Sequence, residues 1–129
     1  MPDREKIPRE WMRRGEDDLL AAKLAFQAGA PSSPITTLVQ QACEKYLKGY
    51  LISLGWRLKK IHDLRELVDT AVEYDASFSD FMDLAHKLTA FYLEYRYPSI
   101  EYVDFRKEEI LEMLEQAEKL IVKIKETTK

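Results

Sequence analysis

The segment from residue 35 to residue 54 carries apolar side chains at helical spacing over its whole length. They recur three or four positions apart, which brings them onto one face of an α-helix. Gly55 follows at once, as is common after the last helical residue. The stripe is wide enough to face more than one neighbour, so the segment predicts a central helix packed among others. Its members are Ile35, Leu38, Val39, Ala42, Cys43, Tyr46, Leu47, Tyr50, Leu51 and Leu54.

Four further segments repeat the same period. The first helix is predicted to start near Pro8, and its apolar face comprises Trp11, Gly15, Leu19, Ala22 and Phe26. A short third helix is expected from about Asp63 to Tyr74. The fourth ends at Tyr97-Pro98, because the residue before proline disfavours the helical region, and the fifth begins near Asp104, a candidate cap.

Serines near two of the predicted helix starts are candidate caps, since their hydroxyls can accept from exposed backbone N–H groups. Ser32 or Ser33 would cap the second helix, and Ser77 or Ser79 the fourth. Together the segments predict an all-α fold, an up-and-down antiparallel bundle of four long helices plus one short helix. We expect a single domain over residues 1–129, with 1–7 as a flexible arm and 126–129 as a fraying tail.

Composition excludes several classes of protein. One cysteine, Cys43, rules out an internal disulfide framework, and two histidines with one cysteine cannot form an all-His/Cys zinc site within one chain. We therefore expect no metal and no cofactor. A net charge of −3 gives no global attraction to nucleic acid. Neither a targeting segment nor a membrane-spanning apolar run is evident, so we expect a cytoplasmic protein with no membrane partner.

The charges are unevenly distributed along the chain. Residues 57–62 hold three cations and no acid, whereas residues 101–118 hold seven acids against Arg106 and Lys107. The acidic stretch is either a solvated helix face or a surface that recognises a basic partner or a second copy of the chain.

The two histidines offer little for catalysis. His62 is expected at the start of the third helix, as a packing residue or as an acid, base or phosphate ligand. His86 is expected on an exposed or half-buried part of the fourth helix. Arg57 and His62 are separated by four residues, a spacing that could form a phosphodiester-cleaving pair but that also arises easily by chance.

Three tyrosines surround Arg96 at the end of the fourth helix, in the sequence Tyr92-Leu93-Glu94-Tyr95-Arg96-Tyr97-Pro98. Tyrosine can stack on a base and arginine can bind phosphate, which favours a nucleotide or RNA site. The alternative is structural, because arginine is rarely buried unpaired. In that case Arg96 would pair with Asp18, Glu44 or Asp63 on another helix.

Four short blocks follow one another along the sequence. They are Trp11 with Glu16-Asp17-Asp18-Leu19 and Ala22, the run Gln41-Ala42-Cys43-Glu44-Lys45-Tyr46-Leu47-Lys48, His62-Asp63-Leu64 with Leu67, and Tyr95-Arg96-Tyr97-Pro98. In this order the blocks resemble the HEPN domains (higher eukaryotes and prokaryotes nucleotide-binding), and the similarity spans about Trp11 to Ile124.

The resemblance implies a helical bundle that dimerises, and the second and fourth helices offer more apolar surface than one bundle needs. Small prokaryotic members often work beside a minimal nucleotidyltransferase, as two-component or toxin–antitoxin pairs. Many members are metal-independent RNases whose motif is an arginine, four to six residues and a histidine. Here the positions that would hold the histidine after Arg96 are Glu101, Tyr102 and Val103.

The resemblance therefore favours a dimeric binding module for a nucleotide, an RNA or the nucleotidyltransferase. Arg96 would contact phosphate, Tyr97 or Tyr102 would stack, and Lys59 and Lys60 would add attraction. Tyr102 and Tyr97 are also candidate acceptors of AMP. Two alternatives remain open, a divergent RNase using Arg96 and Glu101, and a structural dimerisation scaffold.

Overall fold

Five α-helices and one short 3-10 helix account for nearly all of the chain that the structure, a computed structural model, describes: residues 6–58, 63–96 and 105–128. No strand occurs within these ranges, so the prediction of an all-α fold is confirmed. The helices are α1 (Lys6–Gln27), α2 (Ser32–Ser53), α3 (Leu64–Tyr74), the 3-10 helix (Ala76–Phe81), α4 (Met82–Arg96) and α5 (Lys107–Thr127).

The central position predicted for the second helix is confirmed, because α2 contacts α1, α3, α4 and α5. Nearly all of its predicted stripe is buried or half-buried in the shared core, and Leu54, which lies at the C-cap, is the exception. Gly55 takes a φ of 94°, a left-handed conformation that glycine adopts without strain. The serine caps predicted for this helix are wrong. Pro31 is the N-cap residue and makes no side-chain hydrogen bond, while Ser32 and Ser33 lie inside the first turn.

The predicted face of α1 packs against α2. Gly15 allows the close approach, because a Cβ there would lie 2.7 Å from the Tyr46 ring and 3.0 Å from the Ala42 carbonyl oxygen. An ion pair between Asp18 and Lys45, 2.5 Å long, also joins these two helices. The helix begins at Lys6, two residues before the predicted start.

α3 begins where the sequence predicts, whereas the connection from α3 to α4 differs from the prediction. Asp63 caps α3 by accepting a hydrogen bond from the Arg65 backbone N–H. After α3, Asp75 accepts from the Ser77 N–H and starts the 3-10 helix that leads into α4. The predicted capping of α4 by Ser77 or Ser79 is therefore wrong, because both serines lie within the 3-10 helix and α4 begins only at Met82.

α5 is antiparallel to α1 and packs on α2. Its N-cap residue is Arg106 and its first residue is Lys107, so the helix begins later than predicted, and the candidate cap Asp104 lies outside the described residues. The Glu109 carboxylate accepts a hydrogen bond from the Arg106 backbone N–H. Ion pairs of Lys23 with Glu118 and of Glu16 with Lys125 join α5 to α1.

Candidate functional site

The structure places the centre of the predicted site at the end of α4, where Arg96 is the last helical residue. Tyr97, Glu101, Val103 and Tyr102 follow it in the segment 97–104, which lies outside the described residues. The segment leads directly into Phe105 and Arg106 at the start of α5. The predicted site therefore falls at the junction between α4 and α5.

The basic segment 57–62, whose lysines are predicted to attract the ligand, also lies mainly outside the described residues. Lys59, Lys60 and His62 belong to the segment 59–62, whereas Arg57 is described and exposed. The segment is followed at once by Asp63, the cap of α3. The roles of Lys59 and Lys60 in attracting a ligand, and of His62 in proton transfer, therefore remain predictions.

Two of the three carboxylates expected as structural partners of Arg96 are engaged elsewhere. Asp18 pairs with Lys45, and Asp63 pairs with Arg65 at 2.9 Å. The Arg65 side chain and the backbone hydrogen bond together hold the pKa of Asp63 below its usual value, although burial opposes them.

Glu44, the third expected partner, contacts Lys48 at 3.3 Å. The Lys48 side chain is only 5% exposed, and its ammonium lies 5.4 Å from the centre of the Trp11 ring. A carboxylate and an aromatic face thus stabilise a charge that would be costly to bury alone. The burial of Lys48 was not predicted from the sequence, because lysine is rarely an interior residue.

A depression of about 400 Å³ lies between α3 and α4, close to the start of α3. His86 lines it and is exposed, as the sequence predicted. Its other lining residues are Asp63, Arg65, Glu66, Asp69 and Met82. The depression holds three carboxylates, and its guanidinium, that of Arg65, is already paired with Asp63. It therefore does not favour the binding of an anion.

The cleft between the start of α4 and the first half of α5 is acidic. It has a volume of about 170 Å³, and four carboxylates in it face one lysine, Lys87. The carboxylates belong to Asp80, Asp83, Glu109 and Glu112. Such a surface repels RNA phosphate, so a bound strand would have to avoid this side of α5.

Cysteine and metal chemistry receive no support from the described residues. Cys43 is fully buried in α2, and burial raises the pKa of its thiol to about 12, which removes the nucleophilic thiolate at neutral pH. No group of three or more His, Cys, Asp or Glu side chains able to hold a metal occurs in the described ranges. None of the helices searched there is both long and apolar enough to span a membrane.

Comparison with known proteins identifies the family. The model of the HEPN domain matches residues 8–127. The crystal structure of an archaeal HEPN homologue superimposes with a TM-score of 0.75 at 24% identity, covering 95% of this chain and 98% of that one. No curated protein matches the sequence. The structural likeness shows a shared fold, and the family model covers nearly the whole chain. The chain belongs to the HEPN domain family.

Proposed function

We propose that this HEPN domain binds the phosphate of a nucleotide or of an RNA at the junction between α4 and α5. Arg96 provides the phosphate contact, Tyr97 or Tyr102 stacks on the base, and Lys59 and Lys60 contribute attraction over a longer range. The observation that carries the proposal is family membership over residues 8–127, with Arg96 at the C-terminal end of α4. The engagement of Asp18 with Lys45 and of Asp63 with Arg65 supports it, because each of these carboxylates already has a cation.

Binding is favoured over cleavage because the residues after Arg96 lack the acid–base group that the family's RNases use. Glu101, Tyr102 and Val103 occupy the positions at the corresponding spacing. A glutamate there could act as a base, but its charge would also repel RNA phosphate. We therefore treat RNA cleavage through Arg96 and Glu101 as an outcome to be tested.

The proposed working unit is a homodimer that acts beside a minimal nucleotidyltransferase, as in a toxin–antitoxin pair. The resemblance to small prokaryotic HEPN proteins motivates this part of the proposal. The hydroxyl of Tyr102, or of Tyr97, would then attack the α-phosphate of ATP bound to the partner enzyme. It would lose its proton and become joined to AMP, and pyrophosphate would leave. Mass spectrometry of the chain co-expressed with such an enzyme tests the idea, since adenylylation adds one AMP to a peptide that spans these tyrosines.

Calorimetric titration with ATP and with a short single-stranded RNA tests the binding proposal. Because a hydrogen bond to a charged group contributes about 1.5–3 kcal/mol, we expect Arg96→Ala to weaken binding roughly tenfold or more. Arg9→Ala is the matched control, since Arg9 is exposed and lies near the start of α1. Binding should also weaken as salt is added, with a smaller slope after substitution of Lys59 and Lys60.

The absence of binding at millimolar nucleotide and RNA would remove the ligand proposal, as would equal affinity in the Arg96→Ala and Arg9→Ala variants. Incubation of labelled RNA with the protein in chelator addresses the enzymatic alternative. Cleavage that Arg96→Ala abolishes would replace the binding proposal by a metal-independent RNase. Cleavage unchanged by the substitution would indicate a contaminant.

A further inference from the structure

The side chain of Thr89, on α4, carries a buried hydroxyl that has no hydrogen-bond partner among the described residues. Only 6% of the residue is exposed, so bulk water does not supply the missing bond. A buried hydroxyl without a partner lowers the stability of a fold, and most buried polar groups in proteins are therefore paired. Among the buried side-chain oxygens and nitrogens of the described residues, this one alone lacks a partner. The exception needs a physical reason.

Two other threonines show how a helix normally satisfies such a hydroxyl. Thr36 donates to the carbonyl oxygen of Ser32 at 2.9 Å, and Thr70 donates to that of Glu66, also at 2.9 Å. This bond to the residue four positions earlier is open to a threonine inside an α-helix. Thr89 lies well inside α4 and yet does not make it. Its hydroxyl is thus left for a group outside its own helix.

The helical register places Thr89 on the same side of α4 as Arg96. Met82, Thr89 and Arg96 follow one another at intervals of seven residues, close to two helical turns, so they form one line along the helix. Each interval covers about 10 Å along the axis. Met82 and His86 line the depression beside Asp63, at the start of α3. The line therefore runs from this depression, past Thr89, to the end of α4.

The acidic cleft lies on a different side of α4. The residues of this helix that line it are Asp83, Leu84 and Lys87. Each of them is roughly 120° or more around the helix axis from Thr89. Thr89 is thus turned away from the four carboxylates that would repel a phosphate.

The charges at the two ends of the line through Thr89 differ. Arg96 brings a positive charge to the end of α4, whereas the depression at the other end holds the carboxylates of Asp63, Glu66 and Asp69. A phosphate is attracted to the first end and repelled from the second. The uncharged part of a nucleotide, its sugar and base, suits the stretch between them. A threonine hydroxyl can donate to or accept from a sugar hydroxyl or a polar base edge.

We propose that the Thr89 hydroxyl binds the nucleoside part of a nucleotide whose phosphate is held by Arg96. The ligand then lies along α4, with its phosphate at the end of the helix and its sugar and base toward the depression. Because the hydroxyl is enclosed, binding includes a local opening of the side chains around it. The inference rests on the proposed function, which supplies the phosphate contact, and it adds a residue that recognises the nucleoside.

Thr89→Val tests first whether the hydroxyl serves the fold. Valine has nearly the same shape and helix propensity as threonine but lacks the hydroxyl. Because that hydroxyl is unpaired, we expect the variant to be at least as stable as the wild type in urea denaturation without ligand. Thr36→Val is the matched control, since its hydroxyl is equally buried but paired, and it should be less stable. A loss of stability in Thr89→Val as large as that in Thr36→Val would overturn the proposal.

Calorimetric titration with ATP and with inorganic triphosphate tests the contact with the nucleoside. Thr89→Val should weaken the binding of ATP roughly fivefold, the effect of losing one hydrogen bond between uncharged groups. It should leave the binding of triphosphate unchanged, whereas Arg96→Ala should weaken both. Thr89→Ser keeps the hydroxyl and should bind ATP as the wild type does.

Titration with 2′-deoxy-ATP identifies the group that the hydroxyl contacts. If the contact is with the sugar 2′-hydroxyl, the wild type should bind this ligand as weakly as Thr89→Val binds ATP, and Thr89→Val should cause no further loss. If Thr89→Val weakens the binding of 2′-deoxy-ATP as much as that of ATP, the contact lies elsewhere on the nucleoside. Either result supports the proposal.

The outcomes separate this inference from the proposed function. Equal affinities of the wild type and Thr89→Val for ATP would overturn the inference, while the proposed function stands if Arg96→Ala still weakens binding. Equal losses for triphosphate and ATP in Thr89→Val would also overturn it, because the residue would then act on the phosphate site. If the wild type binds neither ATP nor the short RNA, the proposed function fails and the inference fails with it.

Discussion

At the scale of single residues, Gly15 sets how closely α1 can lie on α2. Replacing an interior helical glycine by alanine normally stabilises a helix by about 1 kcal/mol. Here the new methyl group would stand 2.7 Å from the Tyr46 ring and 3.0 Å from the Ala42 carbonyl oxygen, and the second of these is backbone that cannot rotate away. Overpacking of this kind costs about 1–3 kcal/mol.

We therefore expect Gly15→Ala to lower the free energy of unfolding, measured by urea denaturation, in spite of its better helix propensity. Ala90→Gly, at an exposed position of α4, measures the propensity contribution without any close contact. A Gly15→Ala protein as stable as the wild type or more so would show that α1 can shift outward without loss.

At the scale of elements, the cap of α3 links sequence to stability and to pH. The Asp63 carboxylate accepts from the backbone and side chain of Arg65. Loss of an N-cap acceptor costs about 1 kcal/mol, so Asp63→Ala should destabilise the protein by about that amount at pH 7. Asp69→Ala, exposed on the same helix, should change little.

The pH dependence of this cost follows from the pKa of Asp63, which is held below its usual value of about 3.9. A depressed pKa in the folded state gives stability that is fully present above the unfolded-state value. That stability is lost as the pH falls through the folded-state value. The difference between wild type and Asp63→Ala should therefore shrink below about pH 3.9. Urea denaturation between pH 7 and pH 3 measures this difference in the free energy of unfolding. A difference that stays constant would show that packing, and not the charge of the carboxylate, causes the effect.

Helix periods were predictable from the sequence, whereas the starts of the helices were less so, apart from the start of α3 at Asp63. The spacing in α2 is unambiguous because one face is apolar for the full length of the helix. Its start fails as a prediction because Ser32, Ser33 and the neighbouring prolines all suit a first turn. The 3-10 helix after Asp75 was missed for a similar reason. Asp75-x-Ser77 and the serines nearby are competing cap signals, and only the path of the chain selects among them.

At the scale of the whole molecule, the bundle was predictable but the partition of its surface was not. Apolar spacing shows which side chains tend to be buried. It does not show that α2 has enough neighbouring helices to cover its apolar stripe, or that Leu20 on α1 and Val122 on α5 stay exposed. Of the candidate site, Arg96 is placed at the end of α4. The roles of Tyr97, Glu101, Tyr102, Lys59 and Lys60 remain predictions.

The central position of α2 predicts that the bundle unfolds as a unit. Leu47 is fully buried in this helix, which contacts all four others. Truncating a buried leucine costs about 2–5 kcal/mol, through lost contacts and the cavity left behind. We expect Leu47→Ala to fall in this range, and Leu54→Ala, at a site that is 44% exposed, to cost far less.

The cooperative nature of that loss can be measured with two probes of one urea titration. Tryptophan fluorescence reports on Trp11 in α1 and on Trp56 just after α2, and far-UV circular dichroism reports on all the helices. Because α1 and α5 both depend on α2 for burial, the two curves should coincide for the wild type and shift together in Leu47→Ala. A fluorescence change that precedes the loss of helix would mean that α1 detaches first, and that the other helices hold together without it.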